Sequence, residues 1–422
     1  MAARPAIGDS APVFNLYQPR SGHPDWRELF DEAVELCRRA AAVVQKDSEL
    51  TLSDRLSDLN RKRKSYLTTL STFFENRRRL KRGSHCVLPL YWIWVMQNAC
   101  NLRCVYCDDH AGRGWFEKDD RSTLDTETGK RLMRIMRTAC SSVYYCGGEP
   151  TLRKDLPELV DYGFELGYYP LAMNSNVTVI GDKLQEPAWR QVMRKLDILV
   201  ISVDALDPDR LDRVFQRPFG RKTLVNALML RELQKINKFM LIVNSVVTPE
   251  TVDEARAVLD WCNDLGIFYA AVPANFKEGP DPALINSPDY QDFVATLLER
   301  KKRGHKIIGS LRLLDRFLYA RPFTCLTTMK PHVSADGTLP WPCRAAVNVP
   351  PASINALEFG SVRDMYEAAA RMISPDHFHG PGPNQCGGNC AWYQNYTTEI
   401  YRETLLRPWR FVSEARELTA NL

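Results

Sequence analysis

The sequence predicts an α/β protein: a partial (βα)6 barrel, preceded by a helical extension and followed by a small cysteine-rich domain. Three observations predict it. Between about 86 and 275, six short runs of β-branched and aromatic residues alternate with helical stretches, the texture of βα units around a parallel sheet. Upstream of 86 the period is helical. Downstream of 320, Pro, Gly and Cys accumulate and long periodic runs cease. The expected division is an extension at 1–85, a barrel at 86–275, a helical linker at 276–320, a cysteine-rich domain at 321–392 and a C-terminal helix at 393–422.

Residues 1–24 read as irregular. Asp25 followed by Glu28 is a helix-start pattern, and Leu29, Phe30, Ala33, Val34, Leu36, Cys37, Ala40 and Val44 keep a helical period. A second helix is expected over about 52–80. It is strongly basic: ten basic and three acidic residues fall between 50 and 82. Such a helix could meet RNA, an anionic lipid head group or an acidic leader peptide, with a solvated face as the plain alternative.

The predicted strands are 87–96, 143–146, 170–173, 198–203, 240–247 and 268–274. One intervening helix has Thr248 as its cap, Pro249 in its first turn, Val252, Ala255, Leu259 and Cys262 inward, and Gly266 at its end. Six units give a partial barrel rather than a closed ring of eight. Residues 275–320 read as a loop and two helices. Asp336-Gly337-Thr338-Leu339 reads as a tight hairpin turn, and a last helix covers about 395–418.

A chain of 422 residues with 45% apolar content can bury a large core, and its charge of +5 is near balance. No apolar run reaches the roughly 18–20 residues that cross a bilayer. Arg4 is not followed by an apolar core, so the N-terminus does not read as a secretory signal. A cytoplasmic protein without a membrane span is expected. Its twelve cysteines are many for such a chain. Disulfide frameworks belong to small secreted domains. Here Cys100, Cys104 and Cys107 form one set, and Cys325, Cys343, Cys386 and Cys390 another. Cys37, Cys86, Cys140, Cys146 and Cys262 are scattered. The clustering points to metal.

Cys100-Asn-Leu-Arg-Cys104-Val-Tyr-Cys107 follows the first predicted strand, at the end where barrel active sites lie. Three cysteines so spaced can wrap one cubane, and three thiolates leave one of its four irons open. The alternative is a zinc knuckle with His110 as fourth ligand. C-x3-C-x-aromatic-C resembles the signature of the radical S-adenosylmethionine (SAM) superfamily, and the resemblance extends over about residues 87–275.

The resemblance implies a [4Fe–4S] cluster on Cys100, Cys104 and Cys107, and SAM chelating the open iron. It further implies reductive cleavage of SAM to a 5′-deoxyadenosyl radical, with Tyr106 against the SAM adenine. Gly147-Gly148-Glu149-Pro150 after the second strand is similar to the family's GGEP. Its glycines let backbone approach a ligand, and Glu149 can accept from the SAM ammonium. Asn174-Ser175-Asn176 stands where relatives often have Thr-Asn-Gly, without the glycine. Ser202 and Asp204, in Ile201-Ser202-Val203-Asp204-Ala205, and Asn244, in Val243-Asn244-Ser245, resemble segments that line SAM. Ordinary strand-end capping is the alternative for each of these three.

The second cysteine set could fully coordinate another cubane or a structural zinc. After the resemblance upstream, it resembles the twitch domain, the shortened form of the SPASM auxiliary-cluster domain. One auxiliary [4Fe–4S] cluster is implied, accepting or relaying an electron. Trp341 and Trp392 would shield it, whereas Trp92 and Trp94 read as core.

Asp108, Asp109 and His110 follow the first loop; Asp109 or His110 could take a proton from a substrate radical, or the three are solvated loop polars. Cys146 could donate a hydrogen atom, or be a buried thiol. The resulting expectation is a radical SAM oxidoreductase acting on a small hydroxylated natural-product intermediate of sugar or cyclitol type, reduced by a flavodoxin- or ferredoxin-type protein, with nucleic acid not expected. The alternatives are a radical SAM maturase of ribosomal peptides and, from another class, a zinc-stapled RNA-binding protein.

Overall fold

The computed structural model describes residues 29, 31–36, 52–107, 123–237, 239–276, 279–343, 352–377 and 393–410. Residues 31–36 are helical (α1), and the rest of the first expected helix lies outside the described residues. The basic helix is α2, Leu52–Lys81.

The six expected strands all form: β1 Tyr91–Val95, β2 Ser142–Cys146, β3 Leu171–Ser175, β4 Ile198–Ser202, β5 Met240–Val247 and β6 Phe268–Pro273. They pair in parallel in chain order. The first begins four residues later than the apolar run suggests. A seventh strand corrects the expected count: β9, His332–Val333, pairs in parallel with β1 at the outer edge. The opposite edge, β6, is covered by a bridge from Tyr269 to Ile307.

Exposure alternates along the strands, as period-two side chains require. Val143, Tyr145, Leu199, Ile201, Val243 and Ser245 are buried under the helices, while Tyr144, Cys146, Val200, Ser202, Asn244 and Val246 keep partial exposure on the concave face. Trp92 and Trp94 are core, stacked with their rings 5.5 Å apart.

The helix expected to start at Thr248 and Pro249 starts later: α9 is Val252–Leu265, with Thr251 at its N-cap. Thr251 Oγ1 accepts from Thr248 N at 2.9 Å, so these residues form a turn before the helix. Val252, Ala255, Leu259 and Cys262 are buried as expected, and Gly266 ends the helix with φ +65°.

Beyond the sheet lie a small hairpin of β7, Asn275–Phe276, and β8, Gly279–Pro280, then α10, Pro282–Ile285, α11, Pro288–Lys302, and α12, Leu311–Leu318. The turn at Ser334–Gly337 is present, but the strand after it does not extend a ladder with β9. β10, Thr338–Trp341, pairs antiparallel with β11, Ala352–Asn355. An unexpected helix, α13, Val362–Met372, follows. The last helix, α14, is Tyr393–Leu406, shorter at its C-terminal end than expected, and residues 411–422 lie outside the described set. Among the described residues no helix is long and apolar enough to cross a membrane.

Candidate functional site

β1 ends beside β2, Val95 standing opposite Cys146, and the chain turns through 97–99 into the first cysteine loop. Gly147 and Gly148 are needed here. A Cβ on Gly147 would lie 2.4 Å from Gln97 O, and one on Gly148 2.1 Å from Ala99 O. Gly147 also has φ +134°. This close approach lets Gly148 N donate to Gln97 O at 2.9 Å and Glu149 N to Ala99 O at 2.8 Å. Gln97 Nε2 returns a bond to Glu149 O at 2.6 Å. The glycines thus bring this backbone against the segment that leads into the cysteine loop.

Glu149 is 1% exposed. Its Oε1 accepts from Thr151 N at 3.0 Å, Thr151 Oγ1 at 2.6 Å and Ser175 Oγ at 2.8 Å. Its Oε2 accepts from Asn176 N at 2.7 Å. Burial raises the carboxyl's pKa, and these donors only partly offset it. The carboxylate therefore ties the end of β2 to the end of β3 and keeps acceptor capacity on Oε2.

Asn176 continues the tie. Its Nδ2 donates to Asn101 Oδ1 at 2.9 Å and contacts Cys100 Sγ at 3.8 Å. The position that would suit glycine is the next one: Val177 has φ +53°. Asn226 Nδ2 donates to Val177 O at 2.7 Å, holding this strained peptide in place.

On the other side, Arg103 N donates to Phe215 O at 2.9 Å and Val105 N to Val214 O at 3.0 Å, docking the loop on the end of α7, Pro208–Phe215. Tyr106 Oη donates to Asp204 Oδ2 at 2.6 Å, and Asp204 Oδ1 accepts from Val246 N at 2.7 Å. Burial pushes the Asp204 carboxyl up to about 6. Asn174, Ser202 and Asn244 sit half-buried on the concave face. Ser202 and Asn244 are register partners on β4 and β5, and Cys146 opens onto the same face from β2.

Two of the loop thiols, Cys100 and Cys104, resist ionisation in the bare chain. Cys100 is pushed up to about 12, by burial first and then by Glu149 and Cys107. Cys104 is raised well above its usual value by burial, then by Asp204, Cys107 and Cys100. Thiols such as these, which become thiolates only beside strong positive charge, fit a group that brings its own iron. Among the described residues, no three His, Cys, Asp or Glu side chains form a single-ion site.

Two cysteines of the second set meet on α14. Thr398 Oγ1 contacts Cys325 Sγ at 3.5 Å, and Asn395 Nδ2 contacts Cys343 Sγ at 3.8 Å. Lys330, 2% exposed, reaches Asn395 Oδ1 at 3.3 Å. Trp341 is buried, edge-on to Tyr366, with Nε1 donating to Ile373 O at 2.8 Å. Asp108, Asp109, His110, Cys386, Cys390, Trp392 and Cys37 lie outside the described residues. Cys86, Cys140 and Cys262 are buried thiols.

Sequence reasoning missed several supporting polars. Gln97, Asn101 and Thr178 were silent in the motif. Asn395 and Thr398 stand three apart on one helix, a spacing that places both on one face.

The family described as the Radical SAM superfamily matches residues 94–262. An Fe-coproporphyrin III synthase of Methanosarcina barkeri is 39% identical over 221 residues, 51% of this chain and 52% of that protein. The match thus spans about half of that relative's length. A PqqA peptide cyclase of Rhodopseudomonas palustris is 28% identical over 303 residues, covering 69% of this chain and 75% of its own. A GTP 3′,8-cyclase of Streptomyces coelicolor is 30% identical over 246 residues, covering 54% and 69%. Among solved structures, Streptococcus suis SuiB bound to S-adenosylmethionine superposes with a TM-score of 0.53 at 16% identity, over 74% of this chain and 72% of that one. At that identity the likeness is one of fold.

Proposed function

The chain belongs to the radical SAM superfamily, and on that premise we propose that it is an auxiliary-cluster enzyme that oxidises a peptide substrate. Enzymes of this superfamily use a [4Fe–4S] cluster and SAM. Cys100, Cys104 and Cys107 would hold that cluster, and Cys325, Cys343, Cys386 and Cys390 would hold a second. When bound, the first cluster with SAM would supply the radical chemistry that activates a C–H bond, and the second would supply a one-electron acceptor.

The chain's own residues position and shield. Tyr106, Gly147, Gly148, Glu149, Asn174, Ser202, Asp204 and Asn244 ring the concave face around the first loop and form the SAM site. Glu149 Oε2 offers its remaining acceptor capacity to an ammonium. Asn395 links buried Lys330, through its Oδ1, to the Cys343 thiol, through its Nδ2, and so orders the surroundings of that ligand. Asp109 or His110 takes the proton released from substrate, and Cys146, open to the concave face, is the candidate hydrogen donor. The reductant is a flavodoxin- or ferredoxin-type protein, in a reducing compartment such as the cytoplasm.

The observation that carries the peptide assignment is the reach of the alignments: similarity to the PqqA peptide cyclase runs over 303 residues, against 246 for the GTP 3′,8-cyclase and 221 for the Fe-coproporphyrin III synthase. The sugar or cyclitol expectation rests on analogy with twitch enzymes alone, and none of the relatives above carries such a substrate in its name.

The test offers short peptides, and separately sugars and cyclitols, to reconstituted enzyme with SAM and dithionite. Peptide-dependent 5′-deoxyadenosine, with a peptide product lighter by two hydrogens, supports the assignment. Stimulation by cyclitols alone overturns it.

A further inference from the structure

We propose that α2 is an interfacial anchor that lays its outward face on an anionic lipid surface. The helix is amphipathic in the inverted sense. Its polar residues point into the protein, where the N-terminal ends of the strands leave backbone groups needing partners. Arg61 donates to Tyr168 O at 3.1 Å and to both oxygens of Asp197 at 2.8 Å. Ser65 Oγ donates to Tyr169 O at 2.7 Å, Thr72 Oγ1 to Ala139 O at 3.0 Å, and Asn76 Nδ2 to Leu88 O at 2.8 Å. The helix thus crosses under the sheet from β4 to β1.

Phe73 and Leu80 pack against Leu326 and Leu405 on one flank, but most of its large apolar residues are left outside. Leu56, Leu59, Tyr66, Leu67, Leu70 and Phe74 are each between 52% and 64% exposed. At 100° per residue they occupy an arc of about 100°, opposite Arg61, Ser65, Thr72 and Asn76. The stripe from Leu56 to Phe74 is about 27 Å long, and exposure on both of its sides makes it a ridge rather than a groove.

Charge selects the occupant. The helix carries nine basic and three acidic residues. At the same rotation, Arg63, Arg77 and Lys81 lie within the apolar arc, Arg55 and Lys62 flank one side, and Lys64 and Arg78 the other. Asp54, Asp58 and Glu75 all fall on the inward half, where Asp58 pairs with Arg61 and Lys62, and Glu75 with Arg79 and Arg363. A second copy would meet this ridge with like charge and no carboxylate to answer it. RNA would leave the leucines in water, and a docked peptide helix needs a groove. An anionic bilayer surface takes both the apolar ridge and its basic borders. The first cysteine loop lies at the opposite ends of the strands, so the anchor leaves the concave face open.

The test is flotation of the full-length, reconstituted enzyme with vesicles of phosphatidylcholine alone or with added phosphatidylglycerol. Two double variants are compared, Leu59→Ser/Leu70→Ser and Arg63→Glu/Arg77→Glu, which touch none of the inward bonds. Wild type is expected to float with the anionic vesicles at least about ten-fold more than with neutral ones, and less as salt rises. Each variant loses about ten-fold of that binding, with thermal midpoint and SAM cleavage unchanged. Wild type staying with the unbound fraction at every composition overturns the anchor, as do variants that float like wild type. A dimer that the leucine variant splits, or RNA binding without flotation, also overturns it and assigns the face to that partner.

Discussion

The hydroxyl of Tyr106 lies 2.6 Å from Oδ2 of Asp204, a carboxylate 1% exposed whose other oxygen accepts from Val246 N. One bond therefore joins the last turn of the cysteine loop to the ends of β4 and β5. Tyr106→Phe leaves Oδ2 buried without its donor, which costs about 1–3 kcal/mol. The expected result is faster amide hydrogen exchange over 100–107 and a lower melting temperature. Exchange identical to wild type would show that the bond does not hold the loop.

Gly148→Ala sets a Cβ against the carbonyl oxygens of Asn98 and Ala99, and backbone cannot swing aside as a side chain can. Overpacking of this kind costs about 1–3 kcal/mol, and here it shifts the segment entering the cysteine loop. SAM cleavage is expected to fall by about ten-fold or more. Gly266→Ala is the control: φ there is +65°, but nothing lies within 4 Å of the added Cβ. It should cost about 1 kcal/mol of stability and leave cleavage intact.

Arg61→Ala removes the partner of Asp197, whose Oδ2 also receives Leu171 N at 2.7 Å. Breaking a buried pair from one side costs about 3 kcal/mol. Arg61→Lys should recover only part of this, because an ammonium cannot bridge both oxygens of Asp197 as the guanidinium does. Urea midpoints of the two variants check the order.

Glu75 joins α2 to α13 through Arg363 Nη2 at 2.8 Å. Burial raises its pKa, but Arg363 and Arg79 outweigh burial and the net shift is downward from 4.5. A carboxyl depressed in the folded state adds stability above its unfolded pKa and loses it as pH falls through the folded one. Glu75→Gln is therefore expected to lower stability at pH 7 by at most about 1 kcal/mol, since the pair is only partly shielded from water. The gap from wild type should close below about pH 4.5. A gap that does not narrow at all as pH falls from about 5 to about 2 would contradict the ion-pair account.

What the sequence made legible was what periodicity and local chemistry encode. The alternation of β2 and β4 and the inward face of α9 could be read directly, because one buried face imposes its period on the chain. β9 could not, since His332 and Val333 alone show no period and join the sheet only because β1 has an open edge. α13 carried a readable signal, Ser361 as a cap and Val362, Met365, Tyr366 and Ala369 on one face, obscured by the surrounding prolines and glycines. The Gly147-Gly148-Glu149 motif was legible as a motif, but its internal work was not. That Glu149 spends its Oε1 on Thr151 and Ser175 depends on strand ends that meet only in the fold. The inversion of α2 was likewise hidden, because a basic helix with scattered leucines does not announce which face is inward.

The proposed function requires clusters on two cysteine sets, the first of them active in SAM cleavage. Anaerobic reconstitution of wild type and of the Cys100/Cys104/Cys107→Ala variant, with iron and sulfide counted and 5′-deoxyadenosine assayed under dithionite, tests it most directly. About eight irons are expected in wild type, about four in the variant, and 5′-deoxyadenosine from wild type alone. About four irons in wild type and none in the variant would contradict it, leaving Cys325, Cys343, Cys386 and Cys390 without a cluster and the substrate electron without its acceptor.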